Sequence, residues 1–462
     1  MPTGETPEVL TAQILCLLLL PVALLAPPRW AVLAWLVMGN LDASGAGPDA
    51  STSIGILNAL KGVVLPLYLW WRMREAPSQA LSSLAAKLWL ALILYAGLAS
   101  LWSPYPLAAV KLVGNMIGIL LSVVVLEKAS RAGLLQRATL IPLILISLAL
   151  GVLQTFYYGG AAYGFDGAGQ TTRFSSFVWA QQYAAFLVAF LAILLWRHDF
   201  QPIVRWILLL LVSAALAMNG SRTWFFGGAL VTVVYLCFQA RRLLPYLLLG
   251  LSSLALALLL GLNLGAALTD PITDTSSRIV ATLAALATGQ DTAHKVGLAN
   301  VDFRLAIYRT VTEDIETSDP ATMIFGHGTS SGGNILLRLF PSSFKTETLD
   351  ANRAIHNEWL RALYEWGILG FALVIAAFVA LVTQLLARYR TCQRVAQLSA
   401  LLSFIPAYLL ASTTENIIAG AGNAVTLGLA LTAAVLCTPG RFPSKHVSKS
   451  LRHAPIRRAA VA

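Results

Sequence analysis

Charge is what this sequence has least of. Only 11% of its 462 residues are Asp, Glu, Lys or Arg, where a soluble domain carries about 25%. That scarcity excludes an ordinary soluble fold, and apolar stretches long enough to cross a bilayer recur along the whole chain. The short alternating segments of a transmembrane β-barrel are missing as well. The expected fold is all-α and polytopic. Cysteine is equally sparse. Cys16, Cys237, Cys392 and Cys437 fall in or beside apolar stretches and show no metal-ligand spacing. They read as small packing residues rather than a disulfide framework.

Several catalytic signatures are missing too. There is no Walker A loop, no His-Glu-x-x-His and no Gly-x-Ser-x-Gly elbow. No carboxylate pair at metal-ligand spacing stands out, so no cofactor or metal is expected. Lys61 and Lys111 are among the few ionisable residues inside apolar stretches, which argues against a proton-coupled transporter. No internal repeat is found. The chain opens Met-Pro-Thr-Gly-Glu without a basic n-region, so Val9–Ala26 reads as a retained helix rather than a cleaved signal.

What charge there is has a pattern. The net +11 is not a nucleic-acid signal, because Arg441–Ala462 alone holds six Lys/Arg and no acid. Such a tail is a cytoplasmic topology anchor near anionic lipid. Apolar stretches are predicted at about 9–26, 28–41, 54–71, 84–102, 107–126, 134–157, 175–196, 203–219, 222–239, 243–268, 361–387, 395–413 and 421–437. The prolines Pro21, Pro27 and Pro28 leave 12 or 13 crossings open. With the C-terminus inside, the loops bearing Arg72/Arg74/Lys87, Lys128/Arg131/Arg137, Arg197/Arg205, Arg241/Arg242 and Arg388/Arg390/Arg394 all fall inside. The short opposite loops, near 42–53, 103–106, 158–174 and 414–420, carry only Arg173 as a cation. The chain then divides into transmembrane helices (1–268), an external loop (269–355), C-terminal transmembrane helices (356–440) and a basic cytoplasmic tail (441–462).

The external loop holds ten Asp/Glu against seven Lys/Arg. Amphipathic helices are predicted over Ser276–Ala287 and Asp302–Thr317, the second stopped by Asp319-Pro320. A glycine turn follows, Phe325-Gly326-His327-Gly328. A structured loop of this length is usually functional.

Outward-facing arginines run against the positive-inside bias and call for a reason. Arg222 marks a boundary between spans, Arg173 lies just before another, and Arg304 is one turn from Tyr308 on the same helix face. Arginine forks match phosphate oxygens, so a lipid-linked phosphate or diphosphate is the natural guest. The alternative is that each snorkels to headgroups or pairs with a loop acid. His356, with an unperturbed pKa of about 6.5, can act as a general base at neutral pH; a structural role is the alternative. If the helix has begun by residue 353, Arg353, His356 and Trp359 share a face. Glu365 is about half a turn away, a poor partner for His356, and reads as an anchor or as a pair to backbone or arginine. His327 either approaches a ligand or simply belongs to a turn.

Together these residues resemble the O-antigen ligase and polymerase superfamily of bacterial inner-membrane glycosyltransferases. The resemblance is carried by Ser221-Arg222, by Asp302-Phe303-Arg304-Leu305-Ala306-Ile307-Tyr308, by Phe325-Gly326-His327-Gly328 and by His356-Asn357-Glu358-Trp359-Leu360 leading to Glu365-Trp366-Gly367-Ile368-Leu369-Gly370. It implies about twelve transmembrane helices, a large periplasmic loop and a GT-C-like architecture in the inner membrane. It implies transfer of O-polysaccharide from undecaprenyl diphosphate to lipid A-core, a step of lipopolysaccharide biosynthesis, without metal or ATP. Arg222, Arg304 and His356 would be the essential residues, with Arg173, Tyr308, His327, Arg353 and Asn357 as substrate-binding candidates. The family often has an aliphatic residue where this chain has His327. An O-antigen polymerase or a protein O-oligosaccharyltransferase would share the donor site and differ in acceptor. A lipid-linked glycan flippase would bind the same diphosphate without chemistry.

Overall fold

A computed structural model describes residues 7–41, 52–76, 78, 80–159, 161–163, 171–178, 180–197, 199–221, 223–237, 299–339, 355–391, 405, 408–409, 411–412 and 424–437. The predicted helix over Ser276–Ala287, the stretch 243–268, most of 395–413, and Arg222 and Arg353 lie outside these residues. So do the basic tail and the inner loop bearing Arg241/Arg242.

Helices dominate, as low charge and long apolar runs require of a chain that must satisfy its backbone within lipid. In chain order they are α1 (Pro7–Leu25), α2 (Pro28–Met38), α3 (Thr52–Ala59), α4 (Leu65–Arg72), α5 (Leu84–Ala99), α6 (Pro106–Arg131), α7 (Arg137–Val152), α8 (Ala180–Trp196) and α9 (Pro202–Asn219). They continue with α10 (Thr223–Cys237), α11 (Ala299–Glu316), α12 (Pro320–Phe325), α13 (Gly333–Leu339), α14 (Glu358–Thr391) and α15 (Ala424–Cys437). Among the described residues, six helical stretches are long and apolar enough to cross a membrane, and α2, α8 and α10 are shorter apolar helices. The chain is a multi-pass membrane protein.

Three predicted stretches depart from a continuous α-helix. The stretch predicted from 175 is extended at first, and α8 begins at Ala180. Phe174 and Ala180 direct their carbonyls to the Asn219 amide at 2.7 and 2.9 Å, so an irregular segment stays paired. The stretch 54–71 is interrupted by a π-helical turn, Leu60–Val64, and α7 runs into another, Leu153–Tyr157. The only named strands among the described residues are Ala161–Tyr163 and Thr171–Arg173, an antiparallel pair.

α8 is buried on every side except at Gln181, as an all-apolar helix should be. It is the axis of the main core. Gly428 of α15 lets that helix approach the α8 backbone, with Ala185 and Ala189 next to it. α5 and α14 form a second, smaller core through Leu92, Ala96, Ala362 and Trp366.

Loop contacts sort into two ends. At the basic end, Lys128 donates to the carbonyls of Met73 and Ala76 at 3.1 and 2.7 Å. Arg197 donates to Leu135 at 2.9 Å and Ser130 to Ala434 at 2.6 Å. At the opposite end, Tyr105 donates to Asn334 at 2.8 Å, and Ser176 donates to the Asn40 carbonyl at 3.1 Å. This grouping is the one the lysine and arginine pattern demands. α1 and α2 run antiparallel: Thr11 pairs with Tyr158, whereas Arg29 pairs with Thr139.

A tightly constrained point interrupts α14 near its start. Gly367 has φ 61° and ψ −167°, a region open essentially to glycine alone. Its Cα packs on the Ile324 carbonyl, and an added Cβ would collide with it. Gly367→Ala is therefore expected to lower the melting temperature in detergent by several degrees. Gly97→Ala, at a position with nothing within 4 Å, should leave it unchanged. Equal melting of the two variants would refute the argument.

Candidate functional site

The break at Gly367 frees carbonyls that a continuous helix would have satisfied. The glycine turn supplies donors for them. The amides of His327 and Gly328 donate to Tyr364 and Glu365, each at 3.0 Å. The Tyr95 hydroxyl lies 3.1 Å from the Trp366 carbonyl and 2.9 Å from that of Phe325. Gly326 and Gly328 have φ of 80° and 96°, and a Cβ at Gly326 would overlap the Glu365 carbonyl. Thr329 completes the joint, donating to Ala96 at 2.6 Å and accepting from the Trp366 indole at 3.1 Å. The Phe-Gly-His-Gly and Glu-Trp-Gly motifs are thus two halves of one contact.

His327 serves that contact. Its ring stacks on Tyr364 with centroids 4.2 Å apart. Nδ1 lies 3.2 Å from the Tyr364 carbonyl and Nε2 lies 3.4 Å from the Ser318 hydroxyl. Of its two sequence readings, these contacts describe the turn.

The external loop folds onto the start of α14. α11 matches the predicted helix to within three residues at its start and one at its end. Ile307 and Val311 on its inner face pack with Ile335, Ile355 and Tyr364 in a small core of their own. Arg304 and Tyr308 occupy successive turns of α11, both partly buried. The Tyr308 hydroxyl donates to the His356 carbonyl at 2.8 Å. The structure thereby joins Tyr308 to His356, with Arg304 one turn before Tyr308 on α11.

His356 itself has φ 51°, uncommon for a residue with a side chain. It is held on both sides. Ile355 before it is buried, and Asn357 after it caps α14, its Oδ1 accepting from the amides of Trp359 and Leu360 at 3.1 and 3.0 Å. The helix therefore begins at Glu358, beyond the histidine. The expectation that Arg353, His356 and Trp359 share a helical face is corrected: a left-handed residue and a cap stand between 353 and the first turn. Asn357, a substrate-binding candidate in the sequence, is occupied as that cap. Arg173 lies at the end of a short strand opposite Ala161.

One cluster escaped the sequence reading. Arg361 is fully buried and bridges two buried carboxylates, Glu358 and Glu365, the latter through Nη1 at 2.9 Å. Its guanidinium lies 4.8 Å from the Trp366 ring centroid. The signal was legible: the acids stand three before and four after the arginine, which puts all three on one face. Glu365 is thus paired with arginine, one of the roles expected of it.

The matched segment now has a context. Residues 206–375 match the family model described as O-antigen ligase. This segment belongs to the O-antigen ligase superfamily. It runs from within α9 to within α14 and contains Arg222, Arg304, Tyr308, His327, Arg353, His356 and Asn357; Arg173 falls before it. A comparison with curated proteins found no match. The O-antigen ligase segment is also where the glycine turn, the kink and the buried ionic triad lie.

Removing Arg361 leaves two buried carboxylates without their cation, which costs about 3–5 kcal/mol. Arg361→Met should therefore unfold far more readily in a detergent melt. The triple variant Glu358→Gln/Arg361→Met/Glu365→Gln should recover most of the loss. A triple variant no better than the single one would show that charge is not what Arg361 neutralises.

Proposed function

We propose that this protein is an O-antigen ligase of the bacterial inner membrane. It transfers O-polysaccharide from undecaprenyl diphosphate to a sugar hydroxyl of lipid A-core at the periplasmic leaflet. The observation that carries the reading is the Tyr308–His356 bond, with Arg304 one turn from Tyr308 on the same helix, inside the segment that matches the O-antigen ligase family. The apolar stretches together make 12 or 13 passes of a GT-C-like fold.

The chemistry follows from the residue types. The sugar C1–phosphate bond is already activated, so displacement needs no nucleotide. His356 takes the proton of the acceptor hydroxyl as that oxygen attacks C1. The C1–oxygen bond to phosphate breaks, and the diphosphate leaves with the electron pair. Arg304 and Arg222, together with Arg173, hold the diphosphate and stabilise its growing charge. Attack opposite the leaving group inverts the anomeric centre. The loop helices α11 and α13 cover the reacting atoms.

The test is glycan transfer by purified protein in detergent, with lipid-linked O-polysaccharide and rough lipopolysaccharide, EDTA present and no nucleotide. Wild type should give a ladder on lipid A-core. His356→Ala, Arg304→Ala and Arg222→Ala should stay folded and lose it. Lengthening of the donor glycan without transfer to lipid A-core would identify a polymerase instead. Donor binding without either product would favour a flippase.

Tyr308→Phe probes positioning. It removes only the hydroxyl that fixes the His356 carbonyl, and small misplacements of a catalytic group slow reactions by up to about a hundredfold. Transfer should fall roughly tenfold or more, with donor affinity and melting temperature little changed. A variant as fast as wild type would show that this bond does not set the histidine.

A further inference from the structure

The sequence reads Asp319-Pro320 as the end of a helix; the structure shows it also starting another. Asp319 Oδ1 accepts from the amides of Ala321 and Thr322 at 2.9 and 3.1 Å, and Oδ2 accepts from the Thr322 hydroxyl at 2.6 Å. The Thr322 hydroxyl first, and then these amides, hold the carboxyl below the ordinary carboxylate range. The helix thus begins on a fully exposed charge that stays ionised at neutral pH.

Its other end is the opposite in character. Met323, Ile324 and Phe325 are consecutive, large and apolar, and they are 41, 46 and 48% exposed. Three such residues facing water would be a liability. They adjoin α5 and α14: Tyr95 holds the Phe325 carbonyl, Trp102 donates to the Gly326 carbonyl at 3.3 Å, and Gly367 packs on Ile324. On α14 and on the short turn Ser100–Trp102 that extends α5, Leu101, Ile368 and Leu369 are also exposed, at 81, 53 and 43%. Both helices are long and apolar enough to cross the bilayer, so lipid is what covers these side chains. The exposed end of α12 adjoins these residues, Ile324 packing on Gly367 next to Ile368.

We propose that α12 is an interfacial anchor. Its Met323-Ile324-Phe325 end is immersed in the acyl chains of the leaflet on the loop end, and Asp319 stays in the headgroup water. The occupant is bulk membrane lipid, and the proposal does not depend on the reaction above. Short amphipathic elements of this kind seat their apolar face about 5–10 Å into the headgroup–acyl boundary. The glycine turn, tied directly to α12, is thereby set at a fixed depth, and the loop cannot ride up from the membrane without pulling this end out of the acyl chains.

Two measurements test it. In a chain whose four native cysteines are alanine, a nitroxide is placed at Asp319→Cys, Met323→Cys or Phe325→Cys. The proteins are reconstituted into phosphatidylethanolamine/phosphatidylglycerol vesicles, and power saturation compares collisions with oxygen and with a nickel chelate. Labels at 323 and 325 should favour oxygen severalfold, and the label at 319 should favour nickel. Nickel preference at 323 and 325 overturns the proposal. So does protection from both reagents, which would mean that protein covers the patch. Because the substitutions perturb the chain, unaltered protein is also irradiated in vesicles doped with a diazirine-bearing phospholipid. Adducts on 323–325 found by mass spectrometry are expected; their absence there, with adducts present on α5, refutes the anchor.

Discussion

A helix broken inside a membrane must find donors for the carbonyls it releases, and the site region of this protein is organised around that requirement. Water cannot serve within the hydrocarbon, where each unpaired group costs several kcal/mol. The donors come from a distant part of the chain, the amides of His327 and Gly328. Two left-handed or otherwise strained glycine conformations face each other across the joint. Once that joint forms, the rest of the external loop has little freedom. α12 lies against α5, α13 follows within a few residues, and α11 closes over the start of α14.

The buried triad works on the same stretch of helix. Glu358, Arg361 and Glu365 fill the turns between the cap at Asn357 and the break at Gly367. A cation between two carboxylates in a dry interior tolerates little movement. The first turns of α14 are therefore rigid at both ends and in the middle. A group placed immediately before such a helix inherits its precision, and His356 occupies that position.

Much of this was legible in the residues. Low charge and apolar length give the helices, and arginine and lysine placement gives the two ends, which the contacts of Lys128, Arg197 and Ser130 reproduce. The loop helix bearing Arg304 and Tyr308 follows from spacing alone. What could not be read is where the backbone leaves helical geometry. A histidine with positive φ, a helix that starts two residues after it and a kink at Gly367 are decided by partners far away in sequence. Short-range periodicity therefore carries Arg353 and His356 onto one helical face, where the fold inserts a left-handed residue and a cap. Asn357 was read by its neighbourhood and turned out to hold a helix end. The Arg361 triad was readable by spacing and hidden by its setting, since charges in an apolar helix look like interruptions until their partners are counted.

The hydroxyl of Tyr308 grips the backbone carbonyl of residue 356. A bond to a carbonyl does not discriminate among side chains. Asparagine or glycine, which enter this backbone region readily, would satisfy the turn as well. The tyrosine, the cap and the kink place residue 356 through main-chain geometry, and the imidazole is carried to its position by the backbone.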